Sequence, residues 1–154
     1  MNYIENEEYE SNNQGASQTE GDTGLNEEKT SKPVKAFAFW EVAGEKLKLK
    51  LTTPATLELE KKFRKNLISL IGDEDNIPAL TTMLQIIHAA AEPWKHGLKL
   101  KHITDYYEKY LEEGGNQLSL YVDVYMQVFM VSGFFSTSMV EDMEDSMGQV
   151  QKKM

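Results

Sequence analysis

The chain has 154 residues, no cysteine and a formal net charge of −9. This length leaves room for one domain, and a hydrophobic content of 40% is enough for a packed core. The lack of cysteine excludes disulfides, a thiolate nucleophile and Cys-ligated zinc. The acidic balance disfavours nucleic-acid binding, because phosphate contacts need clustered Lys and Arg.

Residues 1–34 form an acidic, polar segment. Residues 1–35 contain eight acidic and three basic groups, and their few large apolar side chains show no periodicity. Such a segment cannot bury enough surface to offset its chain entropy, so we predict a disordered acidic arm. Two roles stay open: a solvated tail without function, or an arm that docks on a basic partner. No secretory signal is expected, because the segment lacks a basic start followed by an apolar stretch.

The next segment predicts a β-hairpin. Residues 36–42 read AFAFWEV and end at the turn signal Ala43–Gly44, after which Lys and Leu alternate strictly from Lys46 to Leu51. This period of two indicates a half-buried strand whose leucines face a core and whose lysines face water. An isolated hairpin is marginally stable, so this one is expected to rest on helices.

Four helices are predicted after the hairpin. Thr53 before Pro54 is typical of a capped helix start, Gly72 and Gly114–Gly115 are typical stops, and Asn116 is a candidate cap for the last helix. The helical spacing covers residues 54–71, 78–93, 101–113 and 118–135. We therefore predict an α+β fold at residues 35–135, a hairpin packed on a bundle of about four helices. Residues 136–154 are predicted to be a flexible C-terminal tail, with at most a short helix at residues 140–150.

The last predicted helix, residues 118–135, is almost entirely apolar. Ser119, Asp123 and Gln127 recur every four residues and form one narrow polar stripe. The segment falls just short of the ~20 residues of a membrane span and contains Asp123, so no membrane association is expected. It is either the central helix of the bundle or a surface completed by another chain. For the second case the candidate partner-binding residues are Trp40, Met126, Phe129, Met130, Phe134 and Phe135.

Recognisable catalytic motifs are missing from the sequence. It contains no HExxH metal motif, no GxSxG elbow and no phosphate-binding loop. His88 sits among apolar helix residues and is expected to be packed, and His96 and His102 lack neighbouring carboxylates in the sequence. We therefore expect a protein that is not an enzyme and that binds no metal or cofactor. A small enzyme or nucleotide-binding protein remains an alternative hypothesis, beside the two binding and structural roles given below.

The ordered region resembles a known group of phage proteins. The segments KAFAFWEVAGEKLKLKLTTPATLELEKKF, IPALTTMLQIIHAA, WKHGLKLKHITDYYEKYLEEGG and VYMQVFMVSGFF are similar, in order and spacing, to tail assembly chaperones of tailed phages and prophages of Gram-positive bacteria. The resemblance covers residues 35–135, and EEGG and VSGFF are its most distinctive parts. The acidic arm is longer than the resemblance leads us to expect.

The resemblance implies a non-enzymatic role in the cytoplasm of the bacterial host. Such chaperones bind the long apolar tape measure protein, keep it soluble and help to recruit tail tube subunits, and they are not expected in the mature virion. Direct binding of the major tail tube protein and a homo-oligomer are left open. The alternative from another class is a structural tail completion or connector component of the virion.

The resemblance also implies a longer product made by a programmed frameshift. The residues Gln151-Lys152-Lys153 can be encoded as CAA AAA AAG, which contains the slippery heptamer A AAA AAG. We expect a minus-one ribosomal slip there. The codon used for Gln151 in the gene tests this expectation.

Overall fold

The structure, a computed structural model, describes residues 35–73 and 75–153, with side chains described up to residue 148. The acidic arm predicted at residues 1–34 lies outside these residues. The described chain confirms the α+β fold: one antiparallel hairpin is followed by five helices. The strands are β1 (Ala38–Val42) and β2 (Glu45–Leu49); the helices are α1 (Thr53–Phe63), α2 (Leu80–Ala91), α3 (Leu100–Glu112), α4 (Gln117–Leu120, Tyr121–Tyr125 and Met126–Val131, consecutive) and α5 (Thr137–Lys153).

The hairpin follows the predicted alternation. Val42 pairs with Glu45, so Ala43 and Gly44 form a two-residue turn with φ angles of 54° and 80°. Two positive φ angles are the signature of the type I′ turn, whose twist matches that of the strands. The register sets Trp40 opposite Leu47, and both side chains are buried. The buried face is therefore the one that carries the leucines, as expected.

Helix α1 differs from its prediction at both ends. Its cap is Thr52 rather than Thr53: the Thr52 hydroxyl accepts a hydrogen bond from the N–H of Ala55 at 3.1 Å. It ends at Phe63 because Arg64 adopts a left-handed conformation with φ 56°. A separate 3₁₀ turn, Leu67–Leu70, fills the rest of the predicted helix, and Asn66 caps it. The sequence reading missed this break because helical spacing continues across it.

Helix α2 connects the hairpin to the bundle. It contacts α1, α3, β2 and the middle of α4, and the N–H of Lys50, just after β2, donates to the carbonyl of Ala90 at 3.0 Å. Its buried residues are Met83, Leu84, Ile86, Ile87, Ala90 and Ala91. Leucines and isoleucines on this face close the core beneath the hairpin.

Helix α4 is the central helix of the fold. Asn116 caps it as predicted, accepting from the N–H of Ser119 at 2.8 Å. Its middle segment is a π-helix, in which the N–H of Met126 donates to the carbonyl of Tyr121 five residues earlier. Most of its apolar side chains are covered by the chain itself. Within the described residues, no helix combines the length and apolar character needed to cross a bilayer.

The C-terminal region contains a longer helix than its sequence indicated. Residues 136–154 were expected to form a flexible tail with at most a short helix at 140–150, but α5 extends over Thr137–Lys153. Val140 is buried and Met147 packs against the core. The missed signal is the spacing of Val140, Met143 and Met147, which places three apolar side chains on one helix face.

Candidate interaction surface

The residues predicted to bind a partner do not form one exposed surface. Trp40, Phe129 and Met130 are buried, at 2%, 0% and 2% exposure. Met126, Phe134 and Phe135 are half-buried and pack against the core. The prediction that these side chains form an exposed apolar surface is therefore wrong for Trp40, Phe129 and Met130. These three cannot contact a partner unless the domain opens.

The cause of this burial is visible in the aromatic packing. Trp40 lies on the inner face of the hairpin, with its ring centroid 5.6 Å from that of Tyr110. Phe129 lies between Tyr125 and Phe134, with 5.1 Å between the ring centroids on either side. The turn at Ala43–Gly44 already implied the position of Trp40. With two residues in the turn, Trp40 must share a face with Leu47.

The half-buried residues lie where α4 meets α5. The amide of Gln127 on α4 donates to the sulfur of Met147 on α5 at 3.9 Å. This contact joins α5 to α4 across the link of residues 132–136. We use the name α4–α5 seam for the buried or half-buried apolar residues at the end of α4, in the link and on α5: Met126, Met130, Phe134, Phe135, Val140 and Met147.

The polar stripe of α4 is partly exposed to solvent. Ser119 and Gln127 are half-buried and Asp123 is exposed. The hydroxyl groups of Ser119 and Tyr110 are 2.6 Å apart, which ties the start of α4 to α3. The stripe therefore contributes to the contact between helices.

A second group of aromatic residues lies on the solvent face of the hairpin. Phe39 is 45% exposed and Trp94, in the 3₁₀ turn after α2, is 39% exposed. The ring of Phe37 meets that of Trp94 edge-on at 5.1 Å between centroids. Lysine ammonium groups lie over these rings: Lys46 over Phe39 at 4.7 Å and Lys48 over Phe37 at 4.4 Å. The sequence analysis named Trp40 as a candidate and missed Phe37, Phe39 and Trp94. Phe39 and Trp40 are neighbours in β1 and point to opposite faces of the hairpin.

A polar cleft of about 440 Å³ lies at the tip of the hairpin. The phenol of Tyr106 donates to the carboxylate of Glu45, and the Lys95 ammonium is 3.6 Å from the same carboxylate. The bond to Glu45 raises the pKa of Tyr106 to about 12. The same hydrogen bond is the main cause that lowers the pKa of Glu45, and the positive charge of Lys95 is the second cause. These groups satisfy one another and join the hairpin tip to α3.

The histidines have structural contacts. A ring nitrogen of His88, Nε2, is 2.8 Å from the carbonyl oxygen of Leu98. His102 Nδ1 accepts from the N–H of Lys99 at 2.9 Å and so caps the start of α3. His96 and His102 both line the polar cleft, together with Asp105. In the part of the chain that the structure describes, no three His, Asp or Glu side chains are grouped to hold a metal ion.

Comparison with known proteins identifies one family. Neither the curated proteins nor the solved structures contain a match to this chain. A family model matches residues 32–149, which include the hairpin, helices α1 to α4 and most of α5. The chain therefore belongs to DUF6096, a family of unknown function.

Proposed function

We propose that this protein is a non-enzymatic tail assembly chaperone that binds the phage tape measure protein, keeps it soluble and helps to recruit tail tube subunits. The resemblance of residues 35–135 to such chaperones supports the proposal. The client is expected to be a long, apolar, helical polypeptide. Recognition of such a client needs an apolar groove or face that accepts a helix.

The observation that carries this proposal is the α4–α5 seam. Met126, Phe134 and Phe135 remain half-buried after the chain has folded, and Gln127, next to Met126, contacts Met147 of α5. Apolar side chains that are only partly covered suit binding of a further apolar segment. Met126, Met130 and Met147 give the seam unbranched, adaptable side chains that fit varied partners.

Helix α5 carries an apolar face of the kind expected in the client. It is amphipathic, with Val140, Met143 and Met147 on one face and acidic residues on the others. A client helix that packs beside α5 meets the half-buried side chains of Met126, Phe134 and Phe135, and one that takes the place of α5 also meets buried side chains of the seam. Met130 becomes accessible only in the second case, because it is buried in the closed fold.

Co-expression tests this proposal. The full chain is produced with the long helical protein encoded by the neighbouring gene, and the soluble fraction and a pull-down are compared with expression of the client alone. We expect the client to be soluble and bound only when the chain is present. Met126→Glu, in the seam, should weaken binding at least tenfold, because it places a charge against the client.

The matched control is Leu57→Glu, which introduces the same side chain on α1 at a position that is 61% exposed. It should bind like the unmodified chain. Equal loss in both variants, or a client that is soluble without the chain, contradicts the proposal. Mass spectrometry of purified phage particles separates the alternative: a tail completion or connector component stays in the particles, whereas a chaperone is depleted from them.

A further inference from the structure

The solvent face of the hairpin carries a compact group of cations and aromatic rings. We call it the basic aromatic face and define it by six residues: Phe37, Phe39, Lys46, Lys48, Lys50 and Trp94. Phe39 and Trp94 are exposed, and so are Lys46 and Lys48. The α4–α5 seam shares none of these residues, and the proposed chaperone role does not use the face.

The strand pattern builds this face. Phe39 pairs with Lys48 and Glu41 with Lys46, so the outward side chains of β1 and β2 are neighbours across the hairpin. Lys48 lies between two rings, 4.4 Å from the centroid of Phe37 and 5.8 Å from that of Trp94. The indole N–H of Trp94 donates to the carbonyl of Lys50 at 3.2 Å, which fixes the 3₁₀ turn beside the strand.

The face differs in charge from the chain as a whole. The protein has a net charge of −9, yet this face carries three lysines at alternate positions. The acidic residue Glu41 lies next to the face, opposite Lys46. The ammonium groups rest on ring faces, and exposed cation–π contacts of this kind are weak. Each lysine is therefore free to turn toward a carboxylate of a ligand while its stem still covers the ring.

We infer that the basic aromatic face binds an extended acidic segment of a partner protein, with an acidic residue at every second position. Alternate residues of a strand are about 6.6–6.8 Å apart, and Lys46, Lys48 and Lys50 follow this spacing. Alternate acidic side chains of an extended peptide have the same spacing and meet the three lysines in register. The side chains between the acidic ones point to the opposite side of the extended peptide, away from the lysines.

The observations favour a peptide over a nucleic acid. A nucleic-acid strand carries charge along its whole length, and beyond the three lysines it would meet the surface of an acidic protein. A short acidic segment of a protein carries charge only over the length of the three lysines, so it does not meet the acidic surface beyond them. A duplex additionally needs a broad basic surface, which three lysines on one hairpin do not provide.

Binding is measured on the full chain with a short synthetic peptide that alternates Glu and Tyr. The indole N–H resonance of Trp94 reports contact at the face, and that of the buried Trp40 serves as an internal reference. We expect a saturable shift at Trp94 that weakens as salt is raised, because the pairing is between exposed charges. A peptide with Gln in place of every Glu should bind at least tenfold more weakly.

A charge-matched pair of variants locates the site. The triple change Lys46→Gln, Lys48→Gln, Lys50→Gln should weaken the Glu–Tyr peptide at least tenfold. The control Lys61→Gln, Lys62→Gln, Lys65→Gln removes the same charge from exposed positions on and just after α1 and should change affinity less than twofold. Circular dichroism confirms that both variants are folded.

Three results overturn the inference. Equal weakening by the two triple variants shows that overall charge, rather than this face, attracts the peptide. Tighter binding of an oligothymidylate than of the peptide shows that the face is a nucleic-acid site. No shift at Trp94 at millimolar peptide shows that no acidic segment binds there. None of these results bears on the client pull-down, so this inference and the chaperone proposal fail separately.

Discussion

The phenol of Tyr125, in the π-helical part of α4, donates a hydrogen bond of 2.5 Å to the backbone carbonyl of Leu70. This bond joins the central helix to the 3₁₀ turn that replaces the end of the predicted first helix. Burial raises the pKa of Tyr125, so the phenol stays protonated and remains a donor at neutral pH. The turn and the helix are thus fixed to each other through one buried side chain.

Removing this hydroxyl should destabilise the fold. Tyr125→Phe leaves the Leu70 carbonyl without its donor, and we expect the free energy of unfolding to fall by about 1–2 kcal/mol. Urea denaturation followed by circular dichroism measures the change. Tyr107→Phe is the control, because the Tyr107 hydroxyl makes no hydrogen bond to the described residues, and it should cost less than half as much. Equal costs would contradict a specific role for the Tyr125 bond.

Alanine substitutions at two glycines distinguish the cost of backbone strain from the cost of a steric clash. Gly72 and Gly97 both have left-handed φ angles, 78° and 84°. A Cβ at Gly72 would lie 2.7 Å from the carbonyl oxygen of Asn76 and 2.7 Å from Pro78 Cδ, whereas a Cβ at Gly97 meets nothing within 4 Å. Gly97→Ala should therefore cost about 1 kcal/mol of strain alone.

Gly72→Ala adds the clash to the same strain. We expect it to lower the free energy of unfolding by about 2–4 kcal/mol, in the range of strongly destabilising single changes. Thermal unfolding of the two variants side by side gives the comparison. If Gly72→Ala unfolds no earlier than Gly97→Ala, then the close approach of Asn76 and Pro78 is not a constraint on the fold.

The hairpin turn can be improved at one position. Ala43 adopts φ 54°, which is unfavourable for a residue with a Cβ, and its N–H donates to the carboxylate of Glu113 at 2.8 Å. Asn tolerates the left-handed region and leaves the N–H in place. We expect Ala43→Asn to stabilise the protein by about 0.5–1 kcal/mol. A lower melting temperature for this variant would argue against the type I′ turn.

The contact between Tyr106 and Glu45 predicts a dependence on pH. The pKa of Tyr106 is raised to about 12, so its contribution to stability is present below pH 10, the ordinary range of a phenol, and is lost as pH rises toward 12. The pKa of Glu45 is lowered, so its contribution is present above its ordinary range and is lost as pH falls through the lowered pKa. The hydrogen bond between Tyr106 and Glu45 therefore stabilises the fold at pH values between the lowered pKa of Glu45 and the raised pKa of Tyr106.

An NMR titration of the Tyr106 ring carbon that bears the hydroxyl measures this contact. We expect an apparent pKa of about 12 in the unmodified chain and a value closer to 10 in Glu45→Gln. Lys95→Gln, which keeps Glu45 but removes the neighbouring charge, should leave the Tyr106 titration nearly unchanged. A Tyr106 that titrates near pH 10 with Glu45 in place would show that the phenol does not donate to it.

Local pattern alone was enough for much of this fold. The Lys and Leu alternation predicted β2 and its buried face, and Asn116 predicted the start of α4. Pro78, Pro93 and Gly114 bounded α2 and α3 to within two residues of their observed ends. These features depend on neighbours in the sequence, because strand and helix periodicity and capping act over a few residues.

Tertiary structure alone decided which apolar side chains stay accessible. Residues 37–40 include aromatic side chains on both faces of β1. Contact with α3 and α4 buries the face that carries Trp40, whereas the face that carries Phe39 stays in water. The packing of α5 against α4 likewise depends on contacts between distant residues, such as Gln127 and Met147. Sequence periodicity predicts that a face is apolar, but only the packing partners determine whether that face is covered.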